Sequence, residues 1–223
     1  MMSNILSSKC GPVIKNYSKT YETKNGDIEV YFDEYKCGQK LKLLSGKEVP
    51  FMMYEKEIDR ILDSLGEDKV MLEWGSGGST LFFSNYVKKL YSIEHAESFY
   101  YKVKEDLQGA NIQNVELVHV PPVEVCSMKK RWDDYCNYVK EIDEKIDCVF
   151  IDGAARNRCA DSLIEQDILH DDSVIFFHDC KKYAKLYKQG LEKYDIIETI
   201  DVFWPPNQKG FDNQPHMAIL RRK

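Results

Sequence analysis

The chain has 223 residues, 43% hydrophobic and 30% charged, enough apolar material for one folded domain and too much for disorder over most of its length. No apolar run exceeds four residues, against the roughly 20 that a membrane-spanning helix needs; Met1 to Lys9 hold nothing apolar enough for a secretory signal. The 31 basic and 37 acidic residues give a net charge of −6, with no general reason to expect nucleic acid as a partner.

The basic clusters at 129–131, 181–193 and 221–223 read as solvated faces. Seven cysteines without a C-x-x-C pair read as reduced thiols of a cytoplasmic protein, not as a disulfide frame or zinc site.

Residues 1–24 are polar and broken by Gly11-Pro12, so they read as a loose or docking segment. A short strand is expected over 27–35. A helix follows over 54–65, its apolar stripe made by Ile58, Ile61, Leu62 and Leu65, and Gly66 stops it. Residues 1–53 are therefore read as an extension placed to cap a substrate, and 54–223 as the main domain.

Strand and helix then alternate. Strands are expected at 69–74, 89–94, 115–120, 147–151 and 174–177. Helices are expected at 79–86, 98–107, 132–142, 158–169 and 183–194. A final strand pair, 194–203 and 216–221, is joined only by a loop. Five strands separated by helices require crossovers and a parallel sheet, whereas the last pair reads as antiparallel. The expected fold is α/β, a doubly wound Rossmann-like sheet with an antiparallel C-terminal strand.

In such sheets ligands bind beyond the carboxyl ends of the strands. Five junctions therefore matter: Glu73-Trp74-Gly75-Ser76-Gly77-Gly78-Ser79-Thr80, Glu94-His95, Val120-Pro121-Pro122, Asp152-Gly153 and His178-Asp179. The glycine turn lets a ligand approach the backbone. A dinucleotide site would want a third glycine where Thr80 stands, and Glu73 repels a pyrophosphate while suiting a cationic amino group. Glu94 ends the second strand, where a carboxylate can take both hydroxyls of a ribose. An acid, a glycine turn and a second acid fit an adenosyl ligand with a charged amino-acid tail.

This pattern resembles the class I S-adenosylmethionine-dependent methyltransferases, from about residue 54 to the end. The resemblance implies S-adenosylmethionine as cofactor, held by Glu73, Gly75, Ser76, Gly77, Ser79, Thr80, Glu94, His95 and Asp152. Ser92-Ile93-Glu94-His95 with Phe99 and Tyr100 is similar to small-molecule O-methyltransferases. Asp152-Gly153, Arg156, Cys159 and His178-Asp179 are similar to a branch containing sugar and polysaccharide methyltransferases, although Ala154 replaces the proline usual in the glucuronoxylan enzymes. The implied activity is methylation of a sugar or glycan hydroxyl, with a phenolic hydroxyl as the alternative. A nucleotide-linked oxidoreductase or a non-catalytic binding module stand further off.

By the same resemblance, Asp152, His178 and Asp179 are the expected catalytic residues. They are also the expected ligands of a divalent ion, Mg²⁺ or, given the imidazole, Mn²⁺. Without an ion, one of the three must serve as base, because a hydroxyl near pKa ~15 is a poor nucleophile. Arg156 is the expected grip on the acceptor, a small molecule or glycan. His95 either packs on adenine or caps a helix. Trp132 and Tyr135 read mainly as helix core, and His119 as structural. Cys180 reads as a bystander, and 204–214 as a connector at the sheet edge.

Overall fold

The structure is a computed structural model that describes residues 16–33, 40–126, 129–180, 191–201 and 216–223. Alternation of outward polar and inward apolar residues builds a small antiparallel sheet first. Its strands are β1 (Asn16–Tyr21), β2 (Ile28–Asp33), β3 (Lys40–Lys42) and β4 (Glu48–Pro50), paired in chain order. Helix α1 (Glu55–Leu62) buries Ile58 and Ile61.

The main sheet takes β5 (Val70–Trp74), β6 (Lys89–Glu94), β7 (Val115–His119), β10 (Ile146–Ile151), β11 (Leu169–His178), β12 (Tyr194–Ile200) and β13 (Met217–Arg222). Between them run α2 (Gly78–Phe83), α3 (Glu97–Gly109), α4 (Asp133–Asn137), α5 (Arg156–Glu165) and a small hairpin of β8 (Val123–Cys126) and β9 (Lys129–Arg131). The order is β12-β13-β11-β10-β5-β6-β7, parallel except for β13, which runs antiparallel to β11 and β12. The chain leaves β5 toward β7 and returns on its other side at β10, so the strand order switches between β5 and β10. The carboxyl ends of those two strands frame the crevice.

The central strands β5 and β10 are buried on both faces, which is why they are almost wholly apolar. On one face Met71, Cys148, Phe150 and Phe176 join Ile58, Phe82 and the inward side chains of the small sheet; on the other, Leu72, Trp74, Val149, Ile151 and Phe177 pack against α4 and α5.

Tyr21, Ile28, Val30, Phe32, Leu41 and Val49 therefore join the main core, and the described part of the loose segment expected over 1–24 begins as β1 at Asn16. Phe51 and Tyr21 both pack on Phe82, with ring centroids 5.2 Å apart. Gly78 meets the extension so closely that a Cβ there would fall 2.3 Å from the Pro50 carbonyl oxygen. The helix expected over 132–142 is only α4, continued as a 3-10 turn over Tyr138–Glu141. The helix expected at 183–194 and the loop at 204–214 lie largely or wholly outside the described residues. No described helix is long and apolar enough to cross a membrane.

Candidate active site

The switch point is built by two backbones in contact. Gly75 follows β5 with φ +95°, a left-handed conformation open to glycine. A Cβ on Gly75 would lie 2.8 Å from Gly153 Cα, and a Cβ on Gly153 would lie 2.0 Å from the Tyr135 hydroxyl. The amide of Asp152 donates to the Trp74 carbonyl at 2.9 Å, tying the two loops together.

Beneath the glycine turn lies Glu73, 0% exposed. Its carboxylate accepts hydrogen bonds from Ser79 Oγ, from Thr80 Oγ1 at 2.6 Å and from Ser92 Oγ at 2.8 Å. Burial pushes its pKa up to about 7 against the pull of the three hydroxyls. The side chains of Glu73, Ser79 and Thr80, residues expected at the cofactor site, bond one another under the turn. The reason is local: Glu73 ends a doubly buried strand, and the hydroxyls of α2 are the partners within reach.

Glu94 ends β6 beside the turn. It accepts from the amides of Ser76 at 2.8 Å, His95 at 2.9 Å and Ala96 at 2.7 Å. Burial opposes its charge, but His95 and these amides hold its pKa below the usual carboxylate range. His95 meets Trp132 and Tyr135 edge-on at 5.3 and 5.6 Å, an aromatic wall next to Glu94.

On the other side of the switch point the polar groups are charged. His178 Nδ1 contacts Asp152 Oδ1 at 2.8 Å and Nε2 lies 3.4 Å from Glu57 Oε2. His216 Nδ1 bonds the other Glu57 oxygen, and its Nε2 lies 3.4 Å from Asp179 Oδ1. Arg156 Nη2 closes the ring at 2.9 Å from Asp152 Oδ1 and 3.4 Å from Asp179 Oδ2. Burial would lower both imidazole pKa values, but Asp152 and Glu57 raise that of His178, and Asp179 and Glu57 that of His216. Burial likewise opposes the charge on Glu57, yet the two histidines bring its pKa down to about 2. Asp179 is held well below its ordinary value by His216, His178 and Arg156, against its burial. Asp152 and Asp179 are the open edge of this cluster, with side chains 28% and 31% exposed.

Asp152, His178, Asp179 and Arg156 thus come together. Two of their expected roles change. Arg156, read as a grip on the acceptor, is turned inward: it donates to the carbonyls of Gly153 at 3.0 Å, Asp152 at 2.8 Å and His178, and so aligns the ends of β10 and β11. Its guanidinium also bridges Asp152 and Asp179, so an ion on Asp152, His178 and Asp179 would have to displace a cation already paired with both carboxylates. That set does not fit a metal. Cys180 donates to the Phe177 carbonyl at 3.1 Å and burial pushes its thiol up to about 12, far from a nucleophile's range.

Glu57 and His216 went unread in the sequence. Glu57 sits one position before the apolar stripe of α1 and reaches back to the Tyr54 amide at 3.0 Å, so it passes for an ordinary N-terminal acid. The signal available was weak: an acid adjoining a buried stripe, with histidines elsewhere to pair it.

Residues 72–180 match the sequence family described as a methyltransferase domain. No curated protein sequence matches the chain. Similar solved structures include an rRNA methylase from Streptococcus thermophilus, 20% identical, covering 75% of this chain and 94% of its own, TM-score 0.52. A candidate methyltransferase from Streptococcus mutans in complex with SAH is 14% identical, with coverages of 78% and 100% and TM-score 0.55. A methyltransferase-like protein from Silicibacter pomeroyi is 17% identical, with coverages of 78% and 88% and TM-score 0.57. At these identities the likeness is one of fold. The rRNA methylase overturns the expectation that nucleic acid is excluded as a partner: this fold serves RNA, and net charge summed over a chain does not describe the surface at one crevice.

Proposed function

We propose that the chain, which has the class I methyltransferase fold, is an S-adenosylmethionine-dependent methyltransferase that transfers the methyl group to a sugar hydroxyl. The observation that carries this reading is the partly exposed pair Asp152 and Asp179 at the ends of β10 and β11, aligned through Arg156 and backed by His178 and His216. Carboxylates accept hydrogen bonds from hydroxyls, and two side by side suit the neighbouring hydroxyls of a sugar. A glycan and the ribose of RNA both offer that chemistry.

The backbone of residues 75–79 receives the amino-acid end of the cofactor, Glu94 takes the ribose hydroxyls, and the His95–Trp132 wall borders the adenine. Asp152 takes the proton of the acceptor hydroxyl while its oxygen forms a bond to the methyl carbon. The carbon–sulfur bond breaks in line, its electron pair goes to sulfur, and S-adenosylhomocysteine leaves. His178, bonded to Asp152, fixes the direction of that carboxylate. Asp179, held charged, orients the acceptor. Much of the acceleration is positional.

The test is methyl transfer from labelled S-adenosylmethionine to oligosaccharides and to RNA, with the methylated atom identified by mass spectrometry. Asp152→Asn should lower kcat by about 10²–10⁴-fold with cofactor affinity nearly unchanged. A product methylated on nitrogen or carbon, or a kcat indifferent to Asp152, would sink the reading.

A further inference from the structure

Both imidazoles of the charged cluster use their two nitrogens in the same way. One nitrogen of each, Nε2 of His178 and Nδ1 of His216, turns to Glu57, and the other turns to an aspartate: Asp152 for His178, Asp179 for His216. The rings stand at 89° with centroids 4.6 Å apart. One donor atom from each of Glu57, His178 and His216 lies within 4.8 Å of the others. We propose that Glu57, His178 and His216 bind a divalent transition-metal ion.

Three features support this site over the one that Arg156 fills. The first is the donor set. Two imidazoles and a carboxylate suit Zn²⁺, Co²⁺, Fe²⁺ or Mn²⁺, whereas Mg²⁺ prefers oxygen ligands alone. The 3.4 Å between His178 Nε2 and Glu57 Oε2 matches the edge of a tetrahedron with metal–ligand bonds of about 2.1 Å, and the ion would replace the direct hydrogen bond between His216 Nδ1 and Glu57 Oε1. The second is orientation. Metal-bound imidazoles are held by a carboxylate on the far nitrogen, and here each far nitrogen has one.

The third is charge. Glu57, Asp152 and Asp179 bring three negative charges, and Arg156 supplies one positive. The cluster therefore takes two further positive charges, and one divalent ion supplies them in place of the protons on the two imidazoles, leaving no uncompensated buried charge.

The ligands come from α1, the end of β11 and the residue before β13, and all three are buried. The ion would fasten α1 to the sheet and fix His178, and through it Asp152, so it acts as a positioning group behind the reacting atoms. That last consequence rests on the reading of Asp152 as the base; the binding itself does not.

Chelator-treated full-length protein titrated with Co²⁺ should develop a visible d–d absorption band that saturates at about one ion per chain. Glu57→Gln and His216→Gln should each abolish the band, the second serving if the first does not fold by circular dichroism. Asp179→Asn, which keeps all three ligands, should retain it at an affinity about 10–100-fold weaker. Absence of a saturating band, or one that survives in a folded Glu57→Gln or His216→Gln protein, overturns the proposal. So does a band abolished by Asp179→Asn alone. S-adenosylmethionine binding to the chelated protein, followed by calorimetry, reports on the methyltransferase reading separately, because no cofactor contact passes through these three ligands.

Discussion

Glu57 and Glu73 are both glutamates with 0% exposure, set beneath opposite halves of one crevice, yet their pKa values move in opposite directions. Glu73 rises to about 7 and Glu57 falls to about 2. Burial opposes the charge of each, so the partners decide. Three hydroxyls under the glycine turn supply dipoles and no charge, whereas two imidazoles at the ends of β11 and β13 supply charge or, on our proposal, share a cation. One half of the crevice is a hydrogen-bonded platform, which on the proposed function meets the cofactor through its backbone. The other is an ionic cluster, whose open edge on the same proposal faces the acceptor.

The same substitution should therefore act differently in the two places. Glu57→Gln removes the acid that joins His178 to His216 and should cost about 3–5 kcal/mol in denaturant unfolding at neutral pH, the range for breaking a buried ion pair. A loss under 1 kcal/mol would mean that the cluster is not held by its charges.

Glu73→Gln removes a charge that the fold resists. Between the ordinary value of 4.5 and about 7, the folded chain keeps a proton on Glu73 that the unfolded chain has released. This group's contribution to stability is thus full below pH 4.5 and is lost as pH rises through 7, by roughly 3 kcal/mol for a shift of that size. Measured from pH 5 to 8, Glu73→Gln should gain on the native protein by roughly that amount. Parallel curves would show that the hydroxyls stabilise the carboxylate fully.

The sequence made the sheet legible because each strand is a brief apolar run stopped by a polar residue. Asp152, His178 and Asp179 could be placed together for that reason, since adjacent parallel strands end side by side. What could not be read depends on partners brought from afar. β1 to β4 pair across turns and present polar residues outward, so only β2 had a strand-like pattern strong enough to notice. Glu57 and His216 meet across 159 positions, a contact no local spacing encodes. The inward turn of Glu73 and Arg156 was not legible for one reason: each lies beside a strand end, and only the assembled fold sets where its side chain points.

Ser92 offers a finer test of how separate the halves are. Its hydroxyl donates to Glu73 at 2.8 Å and lies 2.7 Å from Ser76 Oγ, entirely on the cofactor side. Ser92→Ala takes one donor from Glu73 and one partner from Ser76, which should cost about 1–2 kcal/mol in stability. With one fewer hydroxyl drawing its pKa down, Glu73 should titrate higher still, extending the pH-dependent loss to more alkaline pH. The Ser76 amide keeps its bond to Glu94, so affinity for S-adenosylmethionine should fall only about threefold, within 1 kcal/mol, and kcat should hold. A large fall in kcat would couple the halves, and the physical link is already present: the charge of Asp152 adds to the upward shift of Glu73, so a change that moves the proton on one can be felt by the other.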